Sequence, residues 1–308
     1  MEERVPNKGR KIFFIGLPDN FLPDDMLAVF LEYGYETYRL IYNGLETELV
    51  ARLSLILNLY ENSIFFFYVD AHLYSLGWNV IIQGILKDYA DKVSIGIVYN
   101  DRLNAEENKK LEHAYKGLGL ENSTFLSMNH NKQGNFNKIL ATLQQSDARG
   151  NRSVVRAVCN GRSTCQLAMS LNKYEQGEIK DISVSHFSCM FQQPTFKLPP
   201  YPPVRRVQVQ LYGLLFEAGC KCLTTRETSA GMLYVFAFFR HDGKPGLADD
   251  TRWKLLKKIY QILSDQLENY LQSVFYIMRK YKSQFPDDFT TVSKTLAELR
   301  GEPIDAKE

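Results

Sequence analysis

The strongest constraint on this chain is a change of period in its middle. Up to residue 146, short continuously apolar runs alternate with amphipathic stretches. "KIFFIGL", "YETYRLI", "SIFFFYVD", "VSIGIVYN" and "STFLSMN" read as strands. The helices between and after them cover "PDDMLAVFLEYG", "ETELVARLSLILNLY", "LGWNVIIQGILKDYADK", "AEENKKLEHAYKGLGL" and "GNFNKILATLQQ". Strands that are apolar on every residue have no face to give to water, so they belong to a parallel sheet covered by helices on both sides. Gly34 stops the first helix, and Asp24 and Asp25 are placed to cap its start.

"DARGNR" (147–152) carries neither period and contains a glycine, so it reads as a flexible linker. Beyond it strands follow one another without helices: "VVRAVCN", "TCQLAMSL", "GEIKDISVSHFSCMF", "RRVQVQLYGLLFEA", "GCKCLTTRE" and "GMLYVFAFFR". Turn signals fall at Asn160-Gly161, "LPPYPP", Gly219, Gly231 and "HDGKPG". Such a succession makes an antiparallel sheet or barrel. A long helix follows, with Asp249 and Asp250 at its start and an apolar stripe of Leu255, Ile259, Ile262, Leu263, Leu267 and Leu271 for the barrel or a partner. The predicted division is an α/β domain over 1–146, a linker over 147–152, a barrel with its helix over 153–278, and a helical tail over 279–308 that includes "FTTVSKTLAELRG".

The 308 residues suffice for two cores, and 45% hydrophobic content excludes a disordered chain. A net charge of +2 leaves no broad basic field for nucleic acid. The opening "MEERVPNKGRK" is too polar for a signal peptide, and "SIFFFYV" is far shorter than the roughly 20 residues of a membrane span. These features predict a cytoplasmic protein without membrane insertion. Its five cysteines lack paired metal-site spacing, so neither a metal nor a disulfide framework is expected. Cys220 and Cys222 in "AGCKCLTT" read as fillers of a sheet core. No nucleophile, base and acid stand together, so no catalytic residues, and no enzyme, are expected.

One stretch asks for a partner. "NRSVVRAVCNG" sets Arg152 and Arg156 four apart where an apolar strand begins, and a buried guanidinium needs an anion. An antiparallel barrel entered by R-x-x-x-R, with "DISVSH" on a later strand and a helix at the end, resembles the PilZ family of bacterial cyclic di-GMP receptors. The resemblance runs over roughly residues 150 to 275. It implies that Arg152 and Arg156 hold phosphates and guanine edges while Asp181 and Ser183 read the base. The chemistry agrees: a guanidinium fork meets guanine O6 and N7 or a phosphate, and the guanine N–H donors call for a carboxylate or hydroxyl. The linker would wrap over the ligand and re-aim the first domain. His186 stands where the family has glycine. It either occupies a left-handed backbone at a cost of about 1–2 kcal/mol, crowds the ligand, or stacks on a guanine.

The first domain resembles a phosphoacceptor receiver in layout. Asp70 ends the third strand in the phosphoacceptor position, but only Asp19 follows the first strand, no Thr or Ser ends the fourth, and Lys132 is a loose match for the lysine. A folded but unphosphorylated receiver is the expectation. The resemblances together imply a cyclic di-GMP receptor that needs no cofactor. Its output is contact with an unidentified protein partner in motility, attachment or virulence, and a homodimer through the helix at 250–275 is open. The alternatives are a degenerate PilZ adaptor that binds no nucleotide, with the arginines paired to Asp181, and a phosphorelay regulator using Asp70.

Overall fold

The computed structural model describes residues 9–40, 46–71, 77–101, 104–120, 123–170, 173–191, 204–240 and 242–280. The first unit runs β1 (Lys11–Ile15), α1 (Met26–Glu32), β2 (Glu36–Leu40), α2 (Glu46–Leu59), β3 (Ser63–Tyr68) and α3 (Trp78–Tyr89). It continues through β4 (Val93–Asn100), α4 (Ala105–Lys116), β5 (Thr124–Met128) and α5 (Lys132–Gln145). All five strands are parallel in the order β2-β1-β3-β4-β5, the doubly wound arrangement expected from the pattern. Strand alternation divides the core between the two faces. Ile12, Phe14, Ile64 and Phe66 pack with Phe30 of α1 and with Phe136 and Ile139 of α5. Phe13, Ile15, Phe65 and Phe67 face α2 and α3, where Leu53, Ile56 and Ile82 are buried.

The second unit runs β6 (Ala157–Val158), β7 (Thr164–Ser170), β8 (Lys173–Ile182), β9 (His186–Phe191), β10 (Arg205–Leu211), β11 (Leu214–Thr228) and β12 (Gly231–Phe239). Antiparallel pairing proceeds β8-β7-β10-β11-β12-β9, and β9 pairs back onto β8, so the sheet closes into a barrel with β6 laid against β8. Closure leaves the six barrel strands without free edges.

Four strand boundaries depart from the sequence reading, and of "VVRAVCN" only Ala157–Val158 forms a strand. "GEIKDISVSHFSCMF" is not one strand: it folds back at Ser183–Ser185 into the β8–β9 hairpin. "RRVQVQLYGLLFEA" likewise turns at Tyr212 and Gly213, whose φ values of 47° and 84° suit the two-residue hairpin turn that matches strand twist. Gly219, read as a turn, lies inside β11. Its missing side chain makes room there, since a Cβ would stand 2.8 Å from Val204 Cγ1 and 2.9 Å from the Phe239 carbonyl oxygen. The six-stranded barrel thus follows from two turns hidden within apparent strands.

Helix α6 (Asp249–Lys280) ties the units together. It packs on α1 and on β6 and β11, and the whole predicted stripe is buried, joined by Leu256 and Val274. Ion pairs follow along its length: Arg252 to Glu32 at 2.9 Å, Lys257 to Asp25 at 3.3 Å, and Arg52 to Glu268. Asp25 is therefore spent on α6. Its carboxylate does not cap α1, although the residue holds the cap position with φ 57°. Gly34 ends α1 with φ +83°, as its sequence position predicts. The linker and the residues after it are packed down: Arg10 N–H donates to the Ala148 carbonyl at 2.9 Å, Val155 N–H to the Leu31 carbonyl at 3.0 Å, and Ala148 is buried. The short helix over "FTTVSKTLAELRG" and the "LPPYPP" turn lie outside the described residues.

Gly219→Ala is expected to destabilise the protein by about 1–3 kcal/mol through overpacking against two neighbouring strands. Urea unfolding checks it, and an unchanged midpoint would mean that β11 can shift away from Val204 and Phe239.

Candidate functional site

The register of β6 on β8 brings the two halves of the sequence motif together. Val158 lies opposite Asp181 and Ala157 opposite Ile182, so Arg156 arrives beside the Asp181 carboxylate. Its Nη1 donates to Asp181 Oδ1 at 3.2 Å, and Ser188 Oγ donates to Asp181 Oδ2 at 2.6 Å. Both members of the ion pair keep about a quarter of their side chains exposed, at 26% and 28%. Water still reaches the pair, so a competing anion can too.

Ser183 has a different environment. It is fully buried, and its hydroxyl organises the β8–β9 turn. Ser183 Oγ meets the backbone N–H of His186 and the His186 carbonyl, each at 3.1 Å, and Ser185 Oγ at 3.3 Å. This hydrogen bonding explains why a stretch that looks like continuous strand reverses there. His186 opens β9 opposite Ala237. It is not among the described non-glycine residues with positive φ, which are Asp25, Asn62, Asp147 and Tyr212, so the histidine carries no left-handed strain. Its Nδ1 lies 2.7 Å from Ser185 Oγ. Burial, and secondarily the Arg156 guanidinium, hold the imidazole below its usual pKa.

Arg152 and Arg156 both line a cleft of about 560 Å³ between the α/β unit, the linker and α6. This volume lies within the roughly 300–1,000 Å³ of small-molecule sites. Arg10, Lys11, Glu36, Tyr60 and Tyr270 also line it, whereas Asp181, Ser183 and His186 do not. Four cations therefore face the cleft with one acid, Glu36, which pairs with Lys11. Behind the wall, Asp181 offsets Arg156, and Asp147 lies within electrostatic reach of Arg10. The Arg10 guanidinium donates to the carbonyls of Asn62 at 2.9 Å and Ser63 at 3.1 Å and to Ser94 Oγ at 2.6 Å. The Arg152 guanidinium has no partner among the described residues; only its carbonyl is engaged, by Arg149 Nε at 3.5 Å. Among the described residues the Tyr270 hydroxyl is buried without a partner, a condition that costs about 1–3 kcal/mol. The result is a cation-rich cleft in which one guanidinium and one hydroxyl have no partner among the described residues.

Sequence reasoning reached the two arginines of the cleft and missed Arg10, Lys11, Tyr60 and Tyr270. The basic cluster "KGRK" leading into β1 was the available signal for the first two. The tyrosines had none, because they meet the linker only through the packing of α2 and α6.

The receiver-like parts are engaged elsewhere. Asp70 accepts the Asn100 N–H at 2.6 Å, Asp19 pairs with Arg39, and Lys132 lies 3.6 Å from Asp24. Among the described residues no group of three His, Cys, Asp or Glu could hold a metal ion, and no helix is long and apolar enough to cross a membrane. The described cysteines are free thiols. Cys165, Cys189 and Cys220 are buried in the barrel, and burial raises Cys159 to about 11.

No protein-family model matches the chain, and a search of curated proteins finds no match. Among solved structures, it is similar to the PilZ domain with c-di-GMP of YcgR from Escherichia coli. That likeness has 11% identity and a TM-score of 0.31, over 39% of this chain and 97% of that one. YcgR from Escherichia coli in complex with c-di-GMP matches at 12% identity and TM-score 0.26, over 44% of this chain and 50% of that one. The inhibitor of motility MotI/DgrA of Bacillus subtilis matches at 10% identity and TM-score 0.29, over 38% and 54%. The match thus spans about half the length of the latter two chains.

The depressed His186 pKa gives a pH signature. The unfolded chain takes up this proton near pH 6.5, the folded one only at lower pH, so this contribution is intact above about pH 6.5 and is lost as pH falls through the folded value. His186→Gln is expected to flatten the decline of unfolding free energy between about pH 7 and about pH 5. An unchanged slope would assign the decline to other groups.

Proposed function

We propose that this chain is a cyclic di-GMP receptor, a binding protein rather than an enzyme. What carries the reading is the placement of both arginines of R-x-x-x-R on one cation-rich cleft at the junction of the two units. Cyclic di-GMP brings two phosphodiesters and two guanines, and the lining supplies forked donors for both. Arg152 is free to bind a phosphate directly. Arg156 is oriented by Asp181 through one nitrogen, which leaves other N–H groups of its fork for the ligand.

Because the cleft is bounded by the α/β unit, the linker and α6, a ligand there touches every body whose relative placement could signal. Occupancy then changes how the units hold one another, and the output is contact with a protein partner in the cytoplasm. The family resemblance points that output to motility, attachment or virulence.

A second reading, a PilZ-type adaptor without nucleotide, is favoured by two observations. The Ser183 hydroxyl is fully used within its turn, and Arg156 already has its counter-ion.

Calorimetric titration separates the two. Cyclic di-GMP is expected to bind the full chain saturably. Arg152→Ala and Arg156→Ala should each weaken binding roughly 5- to 150-fold, equivalent to about 1–3 kcal/mol. Absence of both heat and thermal shift at high ligand would reject the receptor reading in favour of the adaptor.

A further inference from the structure

We infer that Tyr60 and Tyr270, from the α/β unit and the terminal helix, form the purine-binding wall of the cleft, in place of the Ser183 hydroxyl. The inference rests on the receptor reading and names the residues that would give it specificity. The arginines can hold phosphates, but a site selective for a nucleotide also needs a surface for the base. Ser183 cannot supply it: the residue is fully buried, and its hydroxyl is engaged by Ser185 and by both backbone groups of His186.

The cleft itself offers that surface. Tyr60 lies between α2 and β3 and is partly exposed. Its ring is held in orientation by Phe13, with centroids 6.0 Å apart, and by the Lys11 ammonium 5.7 Å from its centroid. A fixed aromatic ring beside cations is the arrangement on which a base stacks while its phosphate is neutralised. Tyr270 lines the same cleft from α6, with a hydroxyl that has no partner among the described residues. A small side-chain rotation would bring that hydroxyl to a guanine edge, which carries both donors and acceptors. Leu59 and Val158 extend the apolar surface on either side. The base would therefore be gripped between a residue of the first unit and a residue of α6.

Cyclic di-GMP titrated by calorimetry into the full chain tests this, with thermal unfolding of each variant alongside. Tyr270→Phe removes an unsatisfied hydroxyl, so the free variant should unfold at the wild-type temperature or higher. Its affinity should nonetheless fall at least about fivefold, the loss of a hydrogen bond made only to ligand. Tyr60→Ala should weaken binding roughly 5- to 150-fold, while Tyr60→Phe, which keeps the ring, stays within about twofold of wild type. If wild type binds and Arg152→Ala is defective, but Tyr270→Phe and Tyr60→Ala bind normally, the tyrosine wall is wrong and the receptor reading stands. If wild type takes up no cyclic di-GMP, both fall.

Discussion

Burial of the α6 stripe decides the arrangement of everything else. Leu255, Ile259, Ile262, Leu263, Leu267 and Leu271 leave water by packing between α1 and the barrel, each worth about 1.5–3 kcal/mol when fully buried. A helix with one apolar stripe could have covered one partner only; this one is long enough to serve both units. The charged rows flanking the stripe then pair outward with Glu32, Asp25 and Arg52 of the first unit. Those pairs add direction rather than much energy, since exposed ion pairs contribute little. The cleft is the space left where α6, the packed linker and the sheet edge meet.

That origin explains the chemistry of the cleft. The linker must cross from α5 to β6 beneath α6, and it carries its arginines along that path. Close approaches hold it there: a Cβ on Gly9 would meet Gly150 N at 2.6 Å, and one on Gly34 would meet the Arg152 carbonyl at 3.0 Å. Arg156 reaches Asp181 because β6, although only two residues long, sets the register against β8. Arg152, four residues earlier, lies before that ladder begins, and its guanidinium has no partner among the described residues. One strand pairing thus gives two arginines of the same motif different surroundings, one of them paired with Asp181.

Much of the fold was legible in the sequence. Continuously apolar strands such as "SIFFFY" and "SIGIV" required a sheet covered on both faces, and the five-fold alternation with helices followed. The α6 stripe was visible residue by residue. The hairpin turns were hidden for physical reasons. Tyr212-Gly213 lacks the usual Asn-Gly pair, and Ser183 reverses the chain through side-chain hydrogen bonds that no hydropathy pattern records. Gly219 misled in the opposite direction, because an interior glycine can answer a steric demand as well as a turn.

The sequence by itself determined the two fold classes and which arginines and acid would be candidates for a site, because these depend on local period and residue chemistry. Only the tertiary structure decided which of those residues share a surface. It set Arg156 on Asp181, sealed Ser183 inside a turn, gave His186 an ordinary strand conformation, and brought Arg10, Lys11, Tyr60 and Tyr270 to the linker. Those meetings join residues up to 260 positions apart, as Arg10 and Tyr270 are. They depend on how the two units close around α6, a global packing solution that no local stretch of the chain encodes.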